Sequence, residues 1–187
     1  MNKTVLVFSI GSLFLILAAF LTVRTASGRI TTQDDESDAR ALIGKSAPEL
    51  ASGDWINSPP HTLSDFRGKV VLLEFWTFGC YNCRNTIPSM NEWQKKYAGK
   101  DFVIIGVHTP EFNREKNLEN VRQQVSRQGI RYPVVTDNEY QTWEAYHQQY
   151  WPTMYLIDRK GIIRLIHFGE GSYDETERTI RSLIAAQ

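Results

Sequence analysis

Hydrophobic and polar positions divide this chain into three regions. Val5 to Val23 is an uncharged, largely apolar run, flanked by Lys3 and Arg24. Polar residues then dominate to about residue 43, with Asp34, Asp35, Glu36 and Asp38 clustered among them. From residue 44 onward, short apolar runs alternate with amphipathic stretches. Lys69 to Trp76 is a near-continuous apolar run, which predicts a buried parallel strand. From Cys80 to about Tyr97 the period becomes helical, with Ile87, Met90 and Trp93 at three-residue spacing and Gly99 as the stop. Phe102 to Val107 predicts a second buried strand, and Asn113 to Gln128 a polar helix ended by Gly129. Tyr132 to Thr136 reads as a strand, and Glu139 to Gln149 as an aromatic-rich helix. Thr153 to Asp158 and Ile162 to Phe168, joined by Arg159-Lys160-Gly161, predict an antiparallel hairpin. Ser172-Tyr-Asp-Glu175 has the form of a capping box opening a last helix to about Ala186. This order predicts an α/β fold, a central mixed sheet with helices on both faces.

The apolar N-terminal run spans roughly 28 Å as a helix, close to the hydrocarbon thickness of a bilayer. It is expected to be a transmembrane signal anchor over residues 1–24. Residues 25–43 are then expected to be a polar linker, and 44–187 the folded domain. Thr25-Ala26-Ser27-Gly28 offers a cleavage site, so release after cleavage stands as the alternative. Both readings carry the domain across the membrane. Positive charge is similar on the two flanks, so it does not fix the orientation.

Charge excludes one class of partner. The chain has 21 basic and 21 acidic residues; Lys3, Arg24 and Arg29 precede every acid, which leaves 18 basic residues against 21 acidic ones in the remainder. A mildly acidic domain has no electrostatic footprint for nucleic acid. The 42% apolar share suits a packed core. There are two cysteines, Cys80 and Cys83. A disulfide between them would close too short a loop to act as a staple. They supply half the ligands of a structural zinc site, and His61, His108, His147 and His167 have no paired ligand spacing. Reversible thiol–disulfide chemistry, with no metal and no other cofactor, is what the pair predicts.

Position supports that chemistry. Cys80 falls where a strand gives way to a helix, where free backbone N–H groups and the helix dipole stabilise a thiolate. Cys83 lies one turn later on the same face, within disulfide reach. Cys80 is therefore expected to be the nucleophile and Cys83 the resolving thiol. Glu74 interrupts the apolar strand: it is either a buried acid that exchanges a proton with Cys83 or a strand-end acid that reaches water. Trp76 and Phe78 either shield the disulfide or pack in the core. Pro152, between Trp151 and Thr153 at the start of a strand, marks a turn or a cis bond. Pro88 is expected to kink the first helix of the domain.

Glu74-Phe-Trp-Thr-Phe-Gly-Cys80-Tyr-Asn-Cys83, followed by Pro88, resembles the active-site segment of the thioredoxin superfamily. Ala47-Pro48-Glu49-Leu50, Trp55-Ile56-Asn57 and Leu63 to Lys69 look like its TlpA/ResA branch. Gly106-Val-His-Thr-Pro-Glu-Phe112, Tyr150 to Asp158 and His167 to Glu175 are similar to the redoxin domain of DipZ-type proteins. The resemblance covers about residues 44 to 187. It implies a thioredoxin-like fold, a cis-Pro152 facing the disulfide, and Glu74 as the buried acid. It also implies a substrate-binding loop at Trp151, Pro152 and Thr153, with Trp76 beside the site. Disulfide-containing exported proteins would be the substrates, and a separate CcdA/DsbD-like membrane protein the electron donor. The Tyr-Asn between the cysteines matches neither common reductants nor strong oxidants, so the direction of electron flow stays open.

Reduction of exported disulfides is the leading expectation, with oxidation or isomerisation as alternatives. A copper or zinc chaperone using Cys80, Cys83 and His108 or His147 competes from another class, and so does an inactive anchored binding module. A peroxidase would need an activating Thr and Arg arrangement, and the sequence does not display one.

Overall fold

A computed structural model describes residues 32–186, except Ala98 and Lys100. The Val5–Val23 run and its expected anchor role lie outside the described residues. Among the described residues, no helix is long and apolar enough to cross a membrane.

The valine- and leucine-rich run forms β2 (Val70–Trp76), buried along its whole length. It sits at the centre of a six-stranded mixed sheet with β1 (Trp55–Ile56), β3 (Phe102–His108), β4 (Val134–Thr136), β5 (Thr153–Ile157) and β6 (Ile163–Phe168), in the order β1-β4-β3-β2-β5-β6. β2 runs parallel to β3 and antiparallel to β5, so Glu74 lies between Gly106 and Met154. β3 and β4 are parallel; β5 and β6 form the antiparallel hairpin that the Arg159-Lys160-Gly161 turn predicts.

Alternation along β2 builds two cores. Val70, Leu72 and Trp76 face helices α2 (Tyr81–Tyr97), α3 (Leu118–Arg127) and α5 (Tyr173–Ala185), through Met90, Trp93, Val121, Val125 and Ile180. Val71, Leu73 and Phe75 face the opposite layer, where Phe66, Tyr146, Tyr155 and Ile163 pack. Helical and 3-10 segments on both sides of a mixed sheet give the thioredoxin-like fold that the resemblance implies.

Several boundaries move for identifiable reasons. The helix expected from Asn113 breaks into a 3-10 turn (Asn113–Glu115) and α3, because the Asn117 side chain caps the N–H of Asn120. The helix expected over 139–149 shrinks to α4 (Gln141–Ala145), bounded by left-handed Tyr140 and His147. α5 begins where expected, yet Ser172 is left-handed at φ 48° and makes no side-chain cap, so the capping box does not form. β4 starts at Val134 because Pro133 has no N–H to give to the ladder.

The expected spacer is corrected in part. Thr32–Arg40 form helix α1, with Ala39 fully buried and the Arg40 guanidinium 4.9 Å from the Phe168 ring centroid. Residues 44–47 then run along the start of β6, through backbone bonds from Gly44 to Ile163 and from Ala47 to Gly161. Packing therefore extends upstream of the boundary at residue 44.

Gly106 controls how closely the layers approach. A Cβ there would sit 2.9 Å from Trp76 Nε1 and 3.3 Å from the Tyr132 ring. Gly106→Ala should therefore lower stability by about 1–3 kcal/mol through overpacking. Equilibrium denaturation checks this, and an unchanged midpoint would show that the layer relaxes freely.

Candidate active site

The first turn of α2 gives the two thiols opposite surroundings. Cys80 is half-buried just before the helix, while Cys83 is fully buried inside it. Both are free thiols. The Cys83 N–H reaches Cys80 Sγ at 3.3 Å. The Cys83 S–H bond to Cys80 is the largest influence on Cys80; the backbone N–H groups of Cys83 and Asn82 add to it. Together they outweigh partial burial and the like charge of Glu111, and hold the Cys80 thiol down at about 6. Burial pushes the Cys83 thiol far above the ordinary range, and its bond to Cys80 pushes the same way. Near neutral pH, Cys80 is a thiolate and Cys83 keeps its proton.

The facing wall comes from the loop immediately before β5. The Trp151–Pro152 bond is cis, and the Trp151 carbonyl oxygen lies 3.7 Å from Cys80 Sγ, within reach of its S–H in the protonated form. The Trp151 indole donates to the Thr109 carbonyl at 3.1 Å and stacks on Trp143 at 4.2 Å between centroids. Trp151 thus forms a partly exposed platform beside Cys80.

Beneath the pair lies Glu74, fully buried. The Thr86 hydroxyl lies 2.6 Å from Glu74 Oε1 and 2.7 Å from the Cys83 carbonyl oxygen, and so links the acid to the Cys83 backbone. Burial raises the Glu74 carboxyl to about 7, against the opposing bonds of Thr86 and Tyr132. Of the two readings of Glu74, the structure has the buried acid.

Cys80, Cys83, Glu74, Trp151 and Pro152 therefore converge. Trp76 and Thr153 do not reach the surface. Trp76 is wholly buried and meets the His108 ring edge-on at 5.2 Å. Thr153 is also fully buried, with its hydroxyl donated to the Tyr150 carbonyl at 2.9 Å. Of these two residues expected at the substrate-binding face, Trp76 supports the site from the core and Thr153 fixes the cis-proline loop.

Periodicity missed Glu115, which it places on an exposed helix face. The side chain is fully buried against the loop before Cys80. It accepts from the Thr77 hydroxyl at 2.6 Å and from the N–H groups of Glu111 and Phe112 at 2.7 and 3.2 Å. A Cβ at Gly79 would lie 1.9 Å from Glu115 Oε1, so glycine is what lets the carboxyl brace the loop. His108 stacks on Phe78 at 5.5 Å, and burial lowers its ring to about 4, leaving it neutral.

The Glu74 value has a consequence for stability. Between its ordinary 4.5 and about 7 the folded protein holds a proton that the unfolded chain releases. Stability from this group is therefore full below about pH 4.5 and is lost as pH rises through about 7, by about 3 kcal/mol in all. Glu74→Gln should be more stable than the parent above pH 7, with the gap closing toward pH 4.5. Denaturant midpoints across that range check it; a gap independent of pH would contradict it.

The sequence matches the AhpC/TSA family over residues 43–166. It is 44% identical over 142 residues to the protein DipZ of Mycobacterium tuberculosis, covering 74% of this chain and 20% of that protein. The chain thus spans about a fifth of the DipZ length. The thiol-disulfide oxidoreductase ResA of Geobacillus kaustophilus is 33% identical over 143 residues, covering 75% of this chain and 78% of that one. Among solved structures, a putative thiol:disulfide interchange protein DsbE from Chlorobium tepidum superposes with a TM-score of 0.68 at 29% identity, covering 76% of this chain and 98% of that one. With the cysteine pair, buried acid and cis-proline in place, the chain belongs to the AhpC/TSA family, among its TlpA/ResA-like thioredoxin-fold redoxins.

Proposed function

We propose that this chain is a membrane-anchored, extracytoplasmic thiol–disulfide oxidoreductase that reduces disulfides in exported proteins. The reaction class is shared with the ResA relatives. The observation that carries the reading is the unequal cysteine pair: a half-exposed Cys80 held as thiolate beside the cis-proline, over a buried, protonated Cys83.

The chemistry follows from that inequality. The Cys80 thiolate attacks one sulfur of a substrate disulfide; the substrate S–S bond breaks, a mixed disulfide forms, and the released substrate thiolate takes a proton from water. Cys83 then gives its proton to the Glu74 carboxylate and attacks Cys80 sulfur. The mixed disulfide breaks, its second substrate sulfur leaves as a thiolate that takes up the proton Glu74 received, the substrate is thereby a dithiol, and the chain is left with a Cys80–Cys83 disulfide. Two electrons have passed to the substrate. A thiol with a pKa near ambient pH combines thiolate population with nucleophilicity, which suits Cys80 to the attacking role. Glu74, near 7, can take and return a proton at physiological pH.

The place of action rests on the apolar Val5–Val23 run, read as an anchor. Regeneration requires a dithiol donor, for which a separate CcdA/DsbD-like membrane protein is the proposed partner. No other cofactor enters these steps.

Full-length Cys83→Ser, exposed to disulfide-bearing exported proteins, should accumulate mixed disulfides through Cys80. Cys80→Ser should trap none. Equal trapping by both variants would overturn the roles. A reduction potential nearer about −270 mV than about −120 mV goes with the reducing direction, and a value near −120 mV would reverse it.

A further inference from the structure

We infer that the face around Cys80 is a docking surface for an acidic polypeptide segment lying next to the substrate's disulfide, seated between two arginine-backed aromatic side chains and in an arginine-lined cleft. The inference deepens the redox reading above and rests on it.

Large exposed apolar side chains are scarce in this domain. Among the described residues they are Ile43, Tyr81 and Phe112, with Tyr81 68% and Phe112 52% exposed. Tyr81 lies between the two cysteines. Phe112 lies on the loop whose N–H groups bind Glu115, the acid that braces Gly79. Both rings carry a cation: the Arg84 guanidinium is 5.8 Å from the Tyr81 centroid, and that of Arg114 is 5.8 Å from the Phe112 centroid. Aromatic side chains and arginine are the residues enriched where protein interfaces hold most of their binding energy. Each cation lies within cation–π range of its ring.

The same arginines line a cleft of about 390 Å³ that opens beside the nucleophile. Phe78 and Gly79 form one wall, immediately before Cys80. Arg84, Arg114 and Arg127 surround it, with amide side chains of α3 between them, and no carboxyl side chain is among its lining residues. Among the described residues, none of these three arginines is in an ion pair. Arg84 makes one long bond to the Phe78 carbonyl, at 3.5 Å, and most of its donors remain free. Of the nearby acids, Glu115 is buried against the loop and Glu119 accepts from Gln123 at 3.4 Å; Glu111 is exposed and near enough to Cys80 to raise its thiol, but it is not among the residues that line the cleft. Unpaired guanidiniums in a polar cleft favour carboxylates, which they bind with two parallel bonds. The domain as a whole carries no basic excess, so the charge is local to the site. Because the cleft wall is the Cys80 loop itself, whatever presents a disulfide to Cys80 also presents its flanking residues to the arginines.

A single exposed ion pair contributes little, so the effect comes from several charges converging and is sensitive to salt. The test uses the reduced full-length protein and three disulfide-looped peptides identical except for flanking residues that are acidic, neutral or basic. Stopped-flow exchange at low salt should run about tenfold or more faster for the acidic than for the neutral peptide, slowest for the basic one, and the ratios should collapse in high salt. In the combined variant Arg84→Gln, Arg114→Gln and Arg127→Gln the acidic-to-neutral ratio should fall to about one. Should that variant fold poorly, Arg127→Glu alone should still shift the preference toward the basic peptide. Equal rates for all three peptides, or an acidic preference unaffected by these substitutions, overturns the docking surface while leaving the redox reading intact. Exchange with none of the peptides overturns both.

Discussion

Everything in this site depends on the unequal burial of two thiols one helical turn apart. Cys83 is sealed in the core and cannot ionise at an ordinary pH, so its S–H is always available to Cys80. Cys80, at the mouth of α2, receives that S–H together with the backbone N–H groups of the first turn, and so becomes the thiolate. Two chemically identical residues acquire different roles because one turn of helix carries the chain from surface to interior. In the proposed reaction, attack and resolution are thereby ordered in time: the exposed sulfur reacts first, and the buried one reacts only after a neighbour accepts its proton.

The rest of the fold holds that inequality in place. β2 ends just before the cysteine loop and carries Glu74 beneath it, on the same face as the leucine and tryptophan that pack against α2. Gly106 allows Trp76 and Tyr132 to close over that layer. β5, antiparallel to β2, returns the cis-proline loop to within 3.7 Å of Cys80. Glu115 fixes the loop from the other side through Thr77 and two backbone N–H groups. In the proposed reaction one buried carboxyl exchanges a proton while the other holds loop geometry, and what distinguishes them is the number of donors each one meets.

Much of this was legible in the order of the residues. The apolar run of β2, the helical period after Cys80 and the hairpin after Pro152 are local signals, and each falls where its pattern predicts. Glu74 was visible as the one acid in an apolar strand, although only the packed sheet decides between core and water. Glu115 was hidden, because an acid in a polar stretch gives no sign that the chain will fold it inward. Trp76 and Thr153 look like site residues in sequence because they adjoin it; strand alternation and a local hydroxyl bond bury them instead. α1 looks like spacer in sequence, since its polar composition does not reveal that Ala39 is buried.

The outer face complements the inner one: buried groups set the reactivity of the sulfurs, and exposed aromatics and arginines around them bear on what can approach. The central claim is the difference between the two thiols, and site-resolved titration of the reduced protein tests it most directly. Alkylation rates, followed by mass spectrometry against pH, should give Cys80 a midpoint near 6 and leave Cys83 unreactive well above the ordinary thiol range. Replacing Cys83 with alanine should move the Cys80 midpoint upward, because its strongest donor is gone. Two thiols titrating together near 8–9, or a Cys80 midpoint indifferent to Cys83, would contradict the account.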